Sequence, residues 1–108
     1  MNLARLQHEH KIWVDHNFPN QQPWEPILGV SEEAGELAHA YLKHMQGIRG
    51  MADEEAAIKK MEDAVGDVVI YLASFCNSMN LSLAACVRTA WEEVKARDWQ
   101  ADKETGTP

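Results

Sequence analysis

Residues 54–79, EEAAIKKMEDAVGDVVIYLASFCNSM, decide the fold. At 100° per residue, Met61, Val65, Val68, Leu72, Phe75 and Met79 fill one side of a helix. Asp63, Asp67, Ser74 and Asn77 fall opposite, interrupted by Ile70, while Val69 and Cys76 widen the apolar surface beyond what one partner helix covers. Asp53 offers an N-cap, and Glu54 and Glu55 sit where the helix dipole favours negative charge. The expectation is a central helix to about Met79, part of whose surface is buried by another subunit.

Outward from this helix, three more follow. Residues 2–16 read as a polar helix burying Leu3, Leu6, Ile12 and Trp13. The run NFPNQQPWEP holds Pro19, Pro23 and Pro26 and is expected to be a loop, carrying Phe18 and Trp24 onto the bundle or into a pocket. A second helix is expected from about Leu28 to Met45, with Ala34, Leu37, Ala38, Tyr41, Leu42 and Met45 as its amphipathic stripe. Gly47 and Gly50 bracket a break. Ser82 caps a fourth helix ending near Trp99, and residues 100–108 form a polar tail expected to be flexible. No strand pattern and no internal repeat occurs. The fold class is all-α: a four-helix bundle in one domain spanning residues 1–108, completed by assembly because one chain of this length leaves a thin core.

Composition narrows the function. Ten Lys and Arg stand against 17 Asp and Glu, a formal charge of −7. Phosphate-backbone contacts need a basic surface, so nucleic acid is not an expected partner. A small phosphate ligand remains open, because a divalent cation bridges carboxylates to phosphates. Cys76 and Cys86 form neither a CxxC nor a disulfide framework. The N-terminal MNLARLQHEHKIW lacks an apolar signal core, and no apolar run approaches the ~20 residues of a membrane span, so a cytoplasmic location without membrane contact is expected.

The acids cluster. In SEEAGEL, Glu33 and Glu36 are three apart and Glu32 and Glu36 four apart; in EDAVGD, Asp63 and Asp67 are four apart. Both spacings put side chains on one helix face, where like charges cost a few tenths of a kcal/mol per pair. If the two helices pack antiparallel, both acidic edges line one groove, and hard oxygen ligands without Cys or paired His suit Mg²⁺ or Mn²⁺. Exposed helix acids are the plainer explanation. Against it, Asp67 lies within the apolar run VGDVVIYL, and mid-helix Gly35 and Gly66 permit close helix approach or leave room beside the carboxylates.

SEEAGEL followed by EDAVGDVVIYL resembles the two-part acidic signature of the MazG-like all-α nucleoside triphosphate pyrophosphohydrolases, ExxE on one helix and ExxD on the next. Ala40–Lys43, the Ile48-Arg49-Gly50 turn and VKARDW extend the likeness over roughly residues 25–99. The resemblance implies hydrolysis of a (d)NTP between the α and β phosphates, Mg²⁺ as cofactor with Mn²⁺ as substitute, and a homodimer or homotetramer. It puts Glu33 and Glu36 at the ExxE positions and Asp67 at the final Asp. Ala64 stands where the ExxD Glu belongs, with Asp63 as the natural substitute ligand. Glu32 is the first choice for the base that accepts a proton from water, and Glu33 the second.

Around this cluster, Lys43 meets the outer phosphates or pairs with Glu36 or His39; Tyr71 bonds phosphate or packs in the core; Arg97 contacts phosphate or is solvated. Trp13, Phe18 and Trp24 with Asn17 are candidates for a base pocket. A different class of function is a non-catalytic helical interaction module, kept open by Ala64. A di-iron bundle is disfavoured by the lack of an ExxH pair.

Overall fold

The computed structural model describes all 108 residues as four helices without a strand: α1 (Leu3–Asn17), α2 (Trp24–Gln46), α3 (Glu54–Ser78) and α4 (Leu83–Lys95). Side-chain caps start three of them. Asn2 accepts the Arg5 N–H at 2.8 Å, Asp53 that of Glu55 at 3.2 Å, and Ser82 that of Ala85 at 3.1 Å. α2 begins four residues earlier than the sequence suggests. Proline is tolerated in a first helical turn, where its missing N–H has no intrahelical partner to lose, so Pro26 sits inside α2 and is buried. α2 ends at Gly47, whose φ of 70° favours glycine.

α4 stops at Lys95 rather than near Trp99. Beyond it, the Asp98 carboxylate accepts the N–H groups of Gln100 and Ala101, which turns the chain. The segment after Asp98 is held by its own hydrogen bonds. The Asp98 N–H donates to the Gly106 carbonyl at 2.6 Å, and the Gly106 N–H to the Asp102 carbonyl at 2.9 Å. The Asp102 carboxyl accepts from Thr105 Oγ1 and from the Glu104 and Thr105 N–H groups, which holds its pKa below the ordinary value.

α2 and α3 form an antiparallel hairpin, with Gly29 against Tyr71 at one level and Glu33 facing Asp67 about a turn along. Several of the residues buried along it are small. Pro26, Gly29, Glu33 and Ala40 are buried on α2, and Ala57 and Ala64 on α3. The stripe expected on α2 does not make this contact: Leu37 is half-buried, and Ala34, Ala38, Tyr41, Leu42 and Met45 are exposed. On α3, Met61, Val68 and Phe75 are half-buried, and Val65, Leu72 and Met79 are exposed. Gly35 and Gly66 face open space, so the close approach of the hairpin is made at Gly29 instead.

The other end is closed by α1 and the start of α4. Ala73, Cys76 and Leu83 form a small core with Leu3, Leu6 and Val69 against it. Gln7 of α1 ties this corner together. Its Nε2 donates to the Leu81 carbonyl at 2.7 Å, its Oε1 accepts the Leu83 N–H at 2.9 Å, and its carbonyl accepts from Asn77 Nδ2 at 3.0 Å. No single helix is long and apolar enough to cross a membrane; α3 and α4 meet that criterion only as a pair bent by 111°.

Candidate functional site

Three carboxylates converge on the first half of α2. One oxygen each from Glu32, Glu33 and Glu36 lies within 4.8 Å of the others. The helical spacing produces this, since residues three and four apart share a face. The three differ in burial: Glu32 and Glu36 are exposed, and Glu33 is only 9% exposed because it points toward α3.

Asp67 joins them from α3. Burial raises the Glu33 pKa above its ordinary value, and the negative charges of Glu36, Asp67 and Glu32 push it further the same way. Burial likewise raises the Tyr71 hydroxyl, with Glu32, Glu33, Asp67 and Glu36 all adding to it. Tyr71 therefore sits in the field of all four acids. The ion pairs of the chain are Arg5–Glu9, Lys11–Asp15, Lys59–Asp63 and Glu92–Lys95, so no Lys or Arg neutralises the cluster.

Asp63 does not converge with them. Its carboxylate accepts from Lys59 Nζ at 3.1 Å along the exposed side of α3. Ala64 is buried, 3% exposed, on the α3 face that packs on α2. The second helix thus brings one carboxylate, Asp67, to the three of the first.

Beside Glu33 and Asp67 opens a cavity of about 690 Å³ between α1, the α1–α2 connection and the hairpin. Trp13, Phe18 and Tyr71, expected at a substrate site, line it. Trp13 stacks on His10 with ring centres 5.7 Å apart and meets Phe18 edge-on at 5.8 Å. No Lys or Arg is among its lining residues. The other expected contacts lie elsewhere. Asn17 Nδ2 donates to the Trp13 carbonyl at 2.9 Å, Trp24 is 61% exposed at the start of α2, and Lys43 Nζ donates to Gln46 at 2.9 Å. Arg97 lies beyond α4, beside Gly106.

Sequence reasoning missed His10, Gln21 and Ser74. Ser74 Oγ donates to Gln21 Oε1 at 2.7 Å, so α3 holds the cavity's amide in place. The position of Ser74 on the polar side of α3, with Asp67, was the available signal. His10 Nε2 is buried without a hydrogen-bond partner, and burial lowers the pKa of the ring. That nitrogen had no sequence signal, because its surroundings come from three separated segments.

Comparison of the chain with protein-family models, curated proteins and solved structures gives no match.

Proposed function

We propose that this protein is a Mg²⁺-dependent pyrophosphohydrolase of nucleoside triphosphates, cleaving (d)NTP between the α and β phosphates to (d)NMP and pyrophosphate. One observation carries the reading: three carboxylates of α2, one of them buried, converge without a cationic partner at the edge of an aromatic-lined cavity, with the Asp67 carboxylate of α3 adding its charge and lining the same cavity. The resemblance of SEEAGEL and EDAVGDVVIYL to the MazG-like signature supports it, with Glu33, Glu36 and Asp67 common to the signature and the cluster.

The donor set fits a hard divalent ion. Glu32, Glu33, Glu36 and Asp67 offer only carboxylate oxygens, and the Glu33 pKa is raised first by burial and then by the neighbouring negative charges, which have no cationic partner. Mg²⁺ bound there supplies charge neutralisation of phosphate oxygens and acidification of water. Asp63, paired with Lys59, is left out of the proposed set.

The chain's own residues do the rest. Trp13, Phe18 and His10 form an aromatic wall for a base, and Gln21, fixed by Ser74, offers an amide to its edge. The Tyr71 hydroxyl stays protonated and donates to a phosphate oxygen. Glu32, exposed and without an ion-pair partner, accepts the proton of the attacking water as its oxygen bonds to phosphorus and the α–β bridge breaks. Such a reaction suits a role in nucleotide-pool housecleaning.

The test is pyrophosphate release from a panel of common and modified NTPs with Mg²⁺ or Mn²⁺. Release that requires the ion is expected. No release from any substrate, with no effect of either ion on melting, overturns the enzyme reading in favour of a non-catalytic helical module.

A further inference from the structure

α4 is held to the rest of the chain at its first turn. Leu83 is its one buried residue, and it sits in the core formed with Ala73 and Cys76 of α3. The chain arrives there by a short turn, in which the Leu81 N–H donates to the Cys76 carbonyl at 2.8 Å and Ser82 caps the new helix. Cys86 follows Leu83 by three residues and so shares the face of α4 that meets α3. The turn therefore brings the two cysteines of the chain together, one on each side of a 111° bend. Their side chains touch: the Cys76 thiol donates a hydrogen bond to the Cys86 sulfur.

The two thiols are placed unequally. Cys76 is 5% exposed, and burial, with the neighbouring Cys86 adding to it, pushes its thiol above the ordinary value. It stays protonated and out of reach of solution. Cys86 is exposed. A reagent in solution can therefore meet Cys86 directly, whereas Cys76 is reached through its neighbour. Neither residue lines the aromatic cavity or belongs to the carboxylate cluster.

We infer that Cys86 and Cys76 are a thiol–disulfide exchange site, which a low-molecular-weight disulfide oxidises to an intramolecular bond that clamps α4 to α3. Cys86 loses its proton to solvent and its sulfur attacks one sulfur of the small disulfide. A mixed disulfide forms on Cys86, the small S–S bond breaks, and one small thiolate leaves and takes up a proton. Cys76 then gives its proton to solvent as its sulfur attacks that of Cys86. The Cys76–Cys86 bond forms, and the second small thiolate leaves and is protonated. Two protein thiols are oxidised, and one small disulfide is reduced to two thiols. The bond closes the chain between residues 76 and 86 across the bend, where a single buried leucine otherwise holds α4. The inference is independent of the catalytic reading.

Incubation of the full folded chain with oxidised glutathione, followed by thiol titration and intact mass, tests it. Free thiols should fall from two to none, with the chain mass lower by two hydrogens and no glutathione retained. The oxidised chain should melt about 5 °C or more above the reduced one, and dithiothreitol should reverse the shift. Cys76→Ala should stop at the mixed disulfide, one glutathione heavier. Cys86→Ser should keep its remaining thiol unreacted while folded. A wild-type chain that retains glutathione on Cys86, keeps both thiols, or forms disulfide-linked pairs of chains overturns the proposal. An unchanged melting temperature in the oxidised chain overturns the clamp. If Cys76→Ala loses its helical circular dichroism, Cys86→Ser, which alters only an exposed side chain, decides with the wild type: glutathione on its Cys76 overturns the assignment of Cys86 as the entry point.

Discussion

The ring of Tyr71 lies directly on the backbone of Gly29, where a Cβ would meet Tyr71 Cδ1 and Cε1. This contact sets the spacing of α2 and α3 one turn from Glu33 and Asp67, so the gap between the carboxylates depends on a missing side chain. Gly29→Ala should destabilise the fold by ~1–3 kcal/mol through overpacking, despite alanine's higher helix propensity. Thermal denaturation of Gly29→Ala, Tyr71→Leu and the double variant checks it. The double variant should be more stable than the sum of the single effects; strict additivity would show that the two residues do not touch.

Glu33 makes stability depend on pH with a definite sign. Its folded-state pKa lies above the ordinary Glu value, so the folded state binds more protons than the unfolded one between those two values. Without divalent ions, the contribution of Glu33 is therefore fully present below the ordinary Glu pKa and lost as pH rises through the raised one. Melting curves from neutral to mildly acidic pH should show Glu33→Gln flattening this dependence. Mg²⁺ should raise the melting temperature more at neutral than at acidic pH, because ligation needs the carboxylates ionised.

Glu36→Gln and Asp67→Asn should each abolish ion-dependent pyrophosphate release while leaving helical circular dichroism intact. Asp63→Asn removes only an exposed pair with Lys59, in which both side chains are more than half exposed, and such pairs are worth about 0.3–0.5 kcal/mol. Its divalent-ion affinity, measured by calorimetry, should match that of the parent. A tenfold loss would return Asp63 to the ligand set.

His10→Phe should raise the melting temperature and weaken substrate binding at once. The phenyl ring keeps the contact with Trp13 and removes a buried nitrogen that has no partner. If the nitrogen waits for a ligand, KM rises several-fold in the same variant that melts higher. A variant that melts higher with unchanged KM would leave His10 as packing alone.

A Cβ at Gly35 or Gly66 would meet nothing within 4 Å. Each alanine replacement should stabilise its helix by up to ~1 kcal/mol. Chemical denaturation measures it, and a loss of stability at either position would mean that a partner occupies that space.

Much of the secondary structure was legible because caps and breakers act locally. Asn2, Asp53, Ser82 and Gly47 sit at the ends of helices. The errors were also local: Pro26 read as loop, though the first turn accepts it, and residues 96–99 read as helix, though α4 stops at Lys95 and Asp98 turns the chain. In the site, Glu32, Glu33 and Glu36 converge because they share one helix, so spacing alone brought them out. The cavity did not come out in the same way, since its walls come from α1, the α1–α2 connection, α2 and α3.

The sequence by itself determined four helices, their acidic and apolar edges, and a cluster of carboxylates on α2, all of which follow from the helical repeat and end chemistry. Only the tertiary structure decided which edges meet. It buried small residues such as Gly29, Ala40, Ala57 and Ala64 between α2 and α3, and left Tyr41, Met45 and Val65 outside. Periodicity reports which residues lie together on a face. Close helix approach depends on which face is small enough to be approached, and that is settled only when two helices compete for the same space.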